Sequence, residues 1–268
     1  RSASHIALEC ALQTQPNICI ISEEVEANNM TLDDVVNQIC EVVVKRSEEG
    51  LYYGTILIPE GLIEFVPAFK RLIAELSDLL SSDLAKTEAK GLKSDDLLAW
   101  ILNHVSAENL PTLKSLPEEV AKQLALGRDP HGNVQVSLIE TEKMLSEMCA
   151  KRLDEWKEQG KFKGKFAALH HFFGYEGRCA TPSNFDCNYC YALGTSAAQL
   201  VANGKTGYMA IVKNTTAPAE EWVAGGVPIT KMMNLERRNG QMKPVIKKAL
   251  VLLDGEPFKE LVERRKDW

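Results

Sequence analysis

The residues best suited to chemistry lie in one short loop, Gly174-Tyr175-Glu176-Gly177-Arg178. Arginine presents a planar fork of donors that matches phosphate, and one charge-assisted contact of this kind contributes about 1.5–3 kcal/mol. Two glycines within four residues permit a tight turn in which backbone comes close to a partner. The same residues also fit an ordinary surface turn. A second candidate is Cys187-Asn188-Tyr189-Cys190, with Cys179 and His170-His171 nearby. Structural zinc takes four ligands on tight turns. Here the spacing around the cysteines is helical and no second CxxC occurs, so Cys187 and Cys190 read as small packing residues.

The loop must be held by its neighbours. Residues 166–173 form an apolar run without proline, which predicts a buried strand. Thr181-Pro182-Ser183-Asn184 is helix-start chemistry, and Phe185, Tyr189, Leu193 and Ala197 follow at steps of four. Gly204 stops that helix, and 208–212 reads as the next strand. In open α/β sheets, ligands sit at loops leaving the C-terminal ends of strands, the place this order gives Tyr175 and Arg178.

Upstream, Ala3, Ile6, Ala7, Cys10 and Ala11 have helical spacing, ended by Gln15-Pro16-Asn17. A strand over 18–21, a Thr31-capped helix stopped by Gly50, and a strand over 55–58 follow. Strand, helix, strand implies parallel pairing with a right-handed crossover. After Pro59-Glu60-Gly61, 62–80 reads as one amphipathic helix with Pro67 in its first turns. Residues 81–96 read as loop or mobile helix, 97–102 and 117–126 as short helices, and 133–136 as a brief strand. Ser137 and Glu140 suggest a capping box for a helix ending at Gly160. Residues 222–240 read as turns, including Arg237-Arg238-Asn239-Gly240, and 257–265 as a closing helix.

The chain has 268 residues, enough for one large or two ordinary domains, and at 45% hydrophobic and 25% charged its composition is globular and soluble. A net charge of −6 gives no basic footprint for nucleic acid or an anionic membrane. No apolar run approaches the ~20 residues of a membrane helix. Seven scattered cysteines, an odd number, fit reduced thiols in a cytoplasmic protein without a signal peptide. Arg1 enters a helical pattern directly without an initiating Met, as expected of a cut end of a longer protein.

Gly-Tyr-Glu-Gly-Arg at 174–178, Pro-Ser-Asn-Phe-Asp-Cys at 182–187 and Gly-Tyr-Met-Ala at 207–210 resemble the C-terminal half of phosphofructokinases, above all the long pyrophosphate-dependent type. Arg1-Ser2-Ala3-Ser4-His5 resembles the end of that family's Met-Gly-Arg motif, and Pro59-Glu60-Gly61 its Pro-Glu-Gly turn. The resemblance covers nearly the whole chain, more loosely over 77–129. It implies an α/β fold with a Rossmann-like parallel sheet flanked by helices and a mostly helical insertion. Residues 1–61 and 131–175 would form the second α/β domain, 62–130 the insertion, and 176–268 a segment returning to the first domain.

The resemblance also implies a set of contacts to fructose 6-phosphate: Arg1, Glu60, Tyr175, Glu176, Gly177 and Arg178. Arg1 would open a helix beside the sugar phosphate, where spare N–H groups favour anions. Glu60 would accept from sugar hydroxyls, although by itself it reads as a solvated acid at a helix start. His171 could reach the phosphate, but a hydrogen-bonded core histidine is the stronger reading. The implied reaction moves a phosphoryl group from pyrophosphate to fructose 6-phosphate with Mg2+ in a homo- or hetero-oligomer, with no nucleic-acid or membrane partner. The family's glycine-rich phosphate loop and its Thr-Ile-Asp-Gly-Asp segment do not occur in these residues. General base, metal ligands and donor site are therefore expected upstream, and no turnover from the chain alone. An ATP-dependent phosphofructokinase, a regulatory non-catalytic subunit of the same fold and a pure interaction fragment are the alternatives.

Overall fold

A computed structural model describes residues 3–126, 139–238 and 241–268. They divide into two units: Arg1–Phe173 with Arg238–Gln241 and Ala249–Trp268, and Gly174–Arg237 with Met242–Lys248.

The first unit is mainly helical around one short parallel strand pair. α1 (His5–Thr14) ends where Gln15 turns to φ 51° before Pro16. β1 (Ile18–Cys19) pairs in parallel with β2 (Ile56–Leu57), in register Ile18↔Ile56 and Cys19↔Leu57. Between them lie α2 (Ser22–Ala27) and α3 (Leu32–Glu48). Thr31 and Asp34 form a reciprocal capping box at the start of α3. The chain is thus α/β, with the expected parallel pairing present at this one place among the described residues.

The single helix expected over 62–80 is broken. Leu62–Phe65 is a 3-10 turn, and α4 (Pro67–Ser81) starts afresh. Proline drives the preceding residue out of the helical region, and Val66 is extended at φ −74°, ψ 118°. Pro67 then serves as the first helical residue, where its missing N–H costs nothing. α5 (Asp83–Glu88), α6 (Ser94–His104), α7 (Leu110–Ser115) and α8 (Glu118–Leu126) follow. The strand expected over 133–136 and Ser137 lie outside the described residues. α9 (Thr141–Glu158) has Glu140 as its N-cap, so the Ser137 box would place Glu140 one turn too deep.

Val35, Val36 and Ile39 of α3, Leu72 and Leu76 of α4, Ile101 of α6, Leu124 of α8 and Leu145 and Leu153 of α9 share one buried cluster. A second joins Leu8 and Ala11 of α1 to Cys19, Ile21, Val251, Phe258 and Leu261. The last two belong to α11 (Glu256–Arg264), the expected closing helix. Burial pushes the Cys19 thiol up to about 12, which keeps it protonated and inert.

Glu75 of α4 accepts from the Ser106 N–H (2.6 Å), the Ser106 hydroxyl (2.9 Å) and the Asn109 amide (2.6 Å). Burial works to raise its pKa, but these donors outweigh it and hold the carboxyl below its ordinary value. A carboxyl depressed by folding contributes stability above its unfolded pKa of about 4.3, and that contribution is lost as pH falls through the folded value. Acid titration of unfolding should therefore show a shallower loss of stability below about pH 4 in Glu75→Gln than in the parent. Parallel acid limbs would mean the three bonds carry no linkage.

In the second unit, α10 (Asn184–Ala202) packs on an antiparallel pair, β3 (Tyr208–Lys213) and β4 (Val223–Pro228). Ser183 and Asp186 cap α10 reciprocally, and Gly204 at φ 64° closes it. The Ser196 hydroxyl donates to Gly225 O at 2.8 Å. A Cβ at Gly226 would lie 2.7 Å from Leu200 Cδ2, so glycine lets the strand close on the helix. β5 (Met233–Arg238) and β6 (Gln241–Ile246) form a further pair.

Two expectations fail here. Residues 166–173 belong to no strand, and Leu169 is 99% exposed. Apolar content favours burial, but a strand exists only through a ladder, and 166–173 enters none among the described residues. The partner of β3 is accordingly β4, in what reads from sequence as a turn-rich stretch. Its Gly225-Gly226 and Pro228 mask a six-residue ladder.

Candidate functional site

In the first unit, two candidate positions share one edge of the β1–β2 pair. The strands are parallel, and the Ile20 N–H extends the ladder to Leu57 O at 3.0 Å. Beyond the C-terminal end of β1 comes Ser22, whose N–H donates to Ser4 Oγ at 2.8 Å. Ser4 is the fully buried N-cap of α1, so this bond ties the start of α1 to that edge. Beyond the same end of β2 comes Pro59-Glu60-Gly61, closed by the Leu62 N–H on Pro59 O at 3.1 Å. Glu60 is half-buried there. A helix N-terminus and a carboxylate thus stand at the edge where α/β sheets take ligands. Arg1 lies outside the described residues.

In the second unit, Tyr175, Glu176, Gly177 and Arg178 form one compact turn. Gly174 has φ 53°, a left-handed conformation that glycine adopts without strain. Glu176–Arg178 make a single 3-10 turn, with the Arg178 N–H on Tyr175 O at 3.0 Å. Arg178 Nε donates to Gly174 O at 3.0 Å, and the guanidinium lies over the Tyr175 ring, 4.9 Å from its centroid. Such a contact contributes about 0.5–1 kcal/mol at an exposed site, and Tyr175 is 80% exposed. These two contacts hold the guanidinium plane, which presents its donor fork in one orientation, as bidentate contact to two oxygens of a phosphate requires. Glu60 belongs to the first unit and this turn to the second.

Cys187 and Cys190 lie within α10, as the helical spacing requires, but both are exposed, so they are not packing residues. They share α10 with Phe185 and Tyr189, whose rings meet Trp222 instead. Trp222 meets Phe185 edge-on at 5.3 Å and Tyr189 at 6.2 Å. His171 is also exposed, edge-on to Phe173 at 4.7 Å, and is not a core histidine, because its segment has no covering layer among the described residues. Among the described residues no three His, Cys, Asp or Glu side chains stand together to hold a metal ion.

The sequence reading overlooked α2 and with it Glu23, which accepts from the Ser4 N–H at the start of α1. The signal was there: Ser22-Glu23-Glu24 directly after a buried apolar run places acids in a helix's first turn.

No family model matches the chain. Over all 268 residues the chain is 63% identical to the pyrophosphate–fructose 6-phosphate 1-phosphotransferase of Porphyromonas gingivalis, covering 48% of that protein. It is 50% identical to the protein of the same name from Treponema pallidum (strain Nichols), covering 47%. It is also 50% identical to the subunit beta of that name from Solanum tuberosum, covering 45%. The chain is homologous to these proteins throughout and spans about half the length of the curated relatives it matches.

Proposed function

We propose that this chain is the C-terminal, fructose 6-phosphate-binding part of a phosphofructokinase that uses pyrophosphate as phosphoryl donor. The reading is carried by the 63% identity over all 268 residues with a protein of that activity by name. Geometry supports it on the sugar side: the start of α1 and Glu60 share one strand edge, and Arg178 is oriented by its own turn. In this reading Arg1, Arg178 and Tyr175 meet the sugar phosphate. Glu60 and Glu176 meet hydroxyls, and Gly177 lets the backbone close on the ligand. Phosphoryl transfer relies on positioning and charge stabilisation more than on covalent chemistry, and positioning is what these residues supply.

The β1–β2 pair would belong to a Rossmann-like parallel sheet, with 1–61 and 131–175 as its domain. Helices α4 to α8 support a helical insertion over 62–130, and 176–268 would return to the first domain of the whole protein. The family's reaction uses Mg2+. General base, metal ligands and pyrophosphate site fall to the rest of the whole protein. Assembly into homo- or hetero-oligomers and a cytoplasmic location complete the reading. No helix among the described residues is long and apolar enough to cross a membrane.

The test is a coupled assay on the purified whole protein, with fructose 6-phosphate and either pyrophosphate or ATP. Formation of fructose 1,6-bisphosphate with pyrophosphate and not with ATP is expected. Turnover with ATP alone would replace the reading by the ATP-dependent one. Sugar-phosphate binding without turnover would point to a regulatory subunit.

A further inference from the structure

Glu23 joins three stretches of chain at the start of α1. Its Oε1 accepts from the Ser4 N–H at 3.2 Å and from the Val251 N–H at 3.0 Å. Ser4 in turn accepts through Oγ from the Ser22 N–H at 2.8 Å. All four residues are buried: Ser4 and Ser22 at 0% exposure, Val251 at 5% and Glu23 at 6%. Around them, the C-terminal segment is latched further. A His5 ring nitrogen lies 3.3 Å from Ala249 O, and Arg265 grips Glu24 with both terminal nitrogens at 2.7 and 2.8 Å. The cluster of Leu8, Ala11, Ile21, Val251, Phe258 and Leu261 packs the same elements together.

We propose that Glu23 is a positioning residue for the anion-binding turn at the start of α1, and that it couples this turn to the C-terminal segment at Val251. The proposal rests on the assignment of that turn to the sugar phosphate. Glu23 itself is buried, and its shared oxygen is occupied by two backbone donors. Its effect is exerted through Ser4, whose placement sets where the spare N–H groups of the first helical turn point. A bound phosphate is sensitive to such placement, because a shift of about 1 Å in a positioning group changes rates by up to roughly a hundredfold. The arrangement also predicts which substitution is mild. Glu23 Oε2 has no hydrogen-bond partner among the described residues. Glutamine keeps an acceptor in place of Oε1 and alters only the unused oxygen, whereas alanine strands two buried N–H donors.

The experiment uses the whole protein, with fructose 6-phosphate and pyrophosphate varied in turn. Glu23→Ala should raise the KM for fructose 6-phosphate about tenfold and leave that for pyrophosphate within about twofold. Glu23→Gln should restore most of the loss. Should Glu23→Ala fail to fold, Ser4→Ala carries the test. It removes only the acceptor of the Ser22 N–H and should raise the same KM about threefold. An unchanged KM for fructose 6-phosphate in folded Glu23→Ala, or in Ser4→Ala where that variant carries the test, overturns the proposal, as does an equal rise for both substrates. Absence of pyrophosphate-dependent turnover before any substitution overturns the functional reading, and this proposal with it.

Discussion

Replacing Arg178 by alanine in the whole protein should raise the apparent KM for fructose 6-phosphate roughly tenfold to a hundredfold, the equivalent of one charge-assisted contact of about 1.5–3 kcal/mol. The KM for pyrophosphate should stay nearly unchanged. Two of its contacts lie within its own turn: Nε on Gly174 O at 3.0 Å and the guanidinium over Tyr175. Removing it forfeits a cation–π contact of about 0.5–1 kcal/mol and a hydrogen bond, so urea unfolding of the same variant is needed to separate a loss at the site from a loss of stability. Arg178→Lys keeps the charge but loses the fork and should recover only part of the affinity. Glu60→Gln should do less damage than Arg178→Ala, because an amide oxygen still accepts from a hydroxyl. Steady-state kinetics with each substrate varied in turn decide the matter. A rise confined to the pyrophosphate KM would place Arg178 on the donor side of the cleft.

What was legible in the sequence was mostly what is encoded locally. Thr31 and the Thr181–Asn184 stretch mark helix starts, and the structure completes each cap with an acid three residues on, Asp34 for Thr31 and Asp186 for Ser183. Gly50, Gly160 and Gly204 mark helix ends through their positive φ. The Gly174–Arg178 turn was legible for the same reason. The parallel β1–β2 pairing was legible too, but several other elements that depend on a distant neighbour were not. Residues 166–173 look like a strand because they are apolar, but pairing is a property of two segments. β4 was hidden by Gly225-Gly226 and Pro228, which disfavour strands until a helix residue such as Leu200 needs the space. The break at Val66 was missed because the apolar spacing continues across it, although Pro67 announced it. Glu23 was missed because an acid at a helix start reads as solvated. Only its tertiary partners, Ser4 and Val251, make it a buried acceptor. The exposed Cys187, Cys190 and His171 show the converse, since neither helical spacing nor residue type says which face of a segment is covered.

The first unit's stability should hinge on the contacts between α3 and α9. α9 lies along α3, where Leu145 is 1% exposed in the cluster that holds Val35, Val36 and Ile39. Around this seam, Cys40 Sγ donates to Cys149 O at 3.7 Å, and Arg152 bonds Asn37 and pairs with Asp33 at 2.8 Å. The two kinds of contact differ greatly in worth. Leu145→Ala deletes buried methyl groups and leaves a cavity that rigid neighbours fill poorly, at a cost of about 2–5 kcal/mol. Asp33→Asn breaks an ion pair whose acid is 68% exposed, where water and salt already screen the charge, and should cost no more than about 1 kcal/mol. Urea unfolding followed by far-ultraviolet circular dichroism compares them directly. With a slope of about 1–3 kcal/mol per molar urea, the leucine variant should unfold at a midpoint lower by roughly 1 M or more. The aspartate variant should stay close to the parent. Equal shifts would mean that α9 is held to α3 by its surface charges and that the buried seam around Leu145 repacks without a cavity.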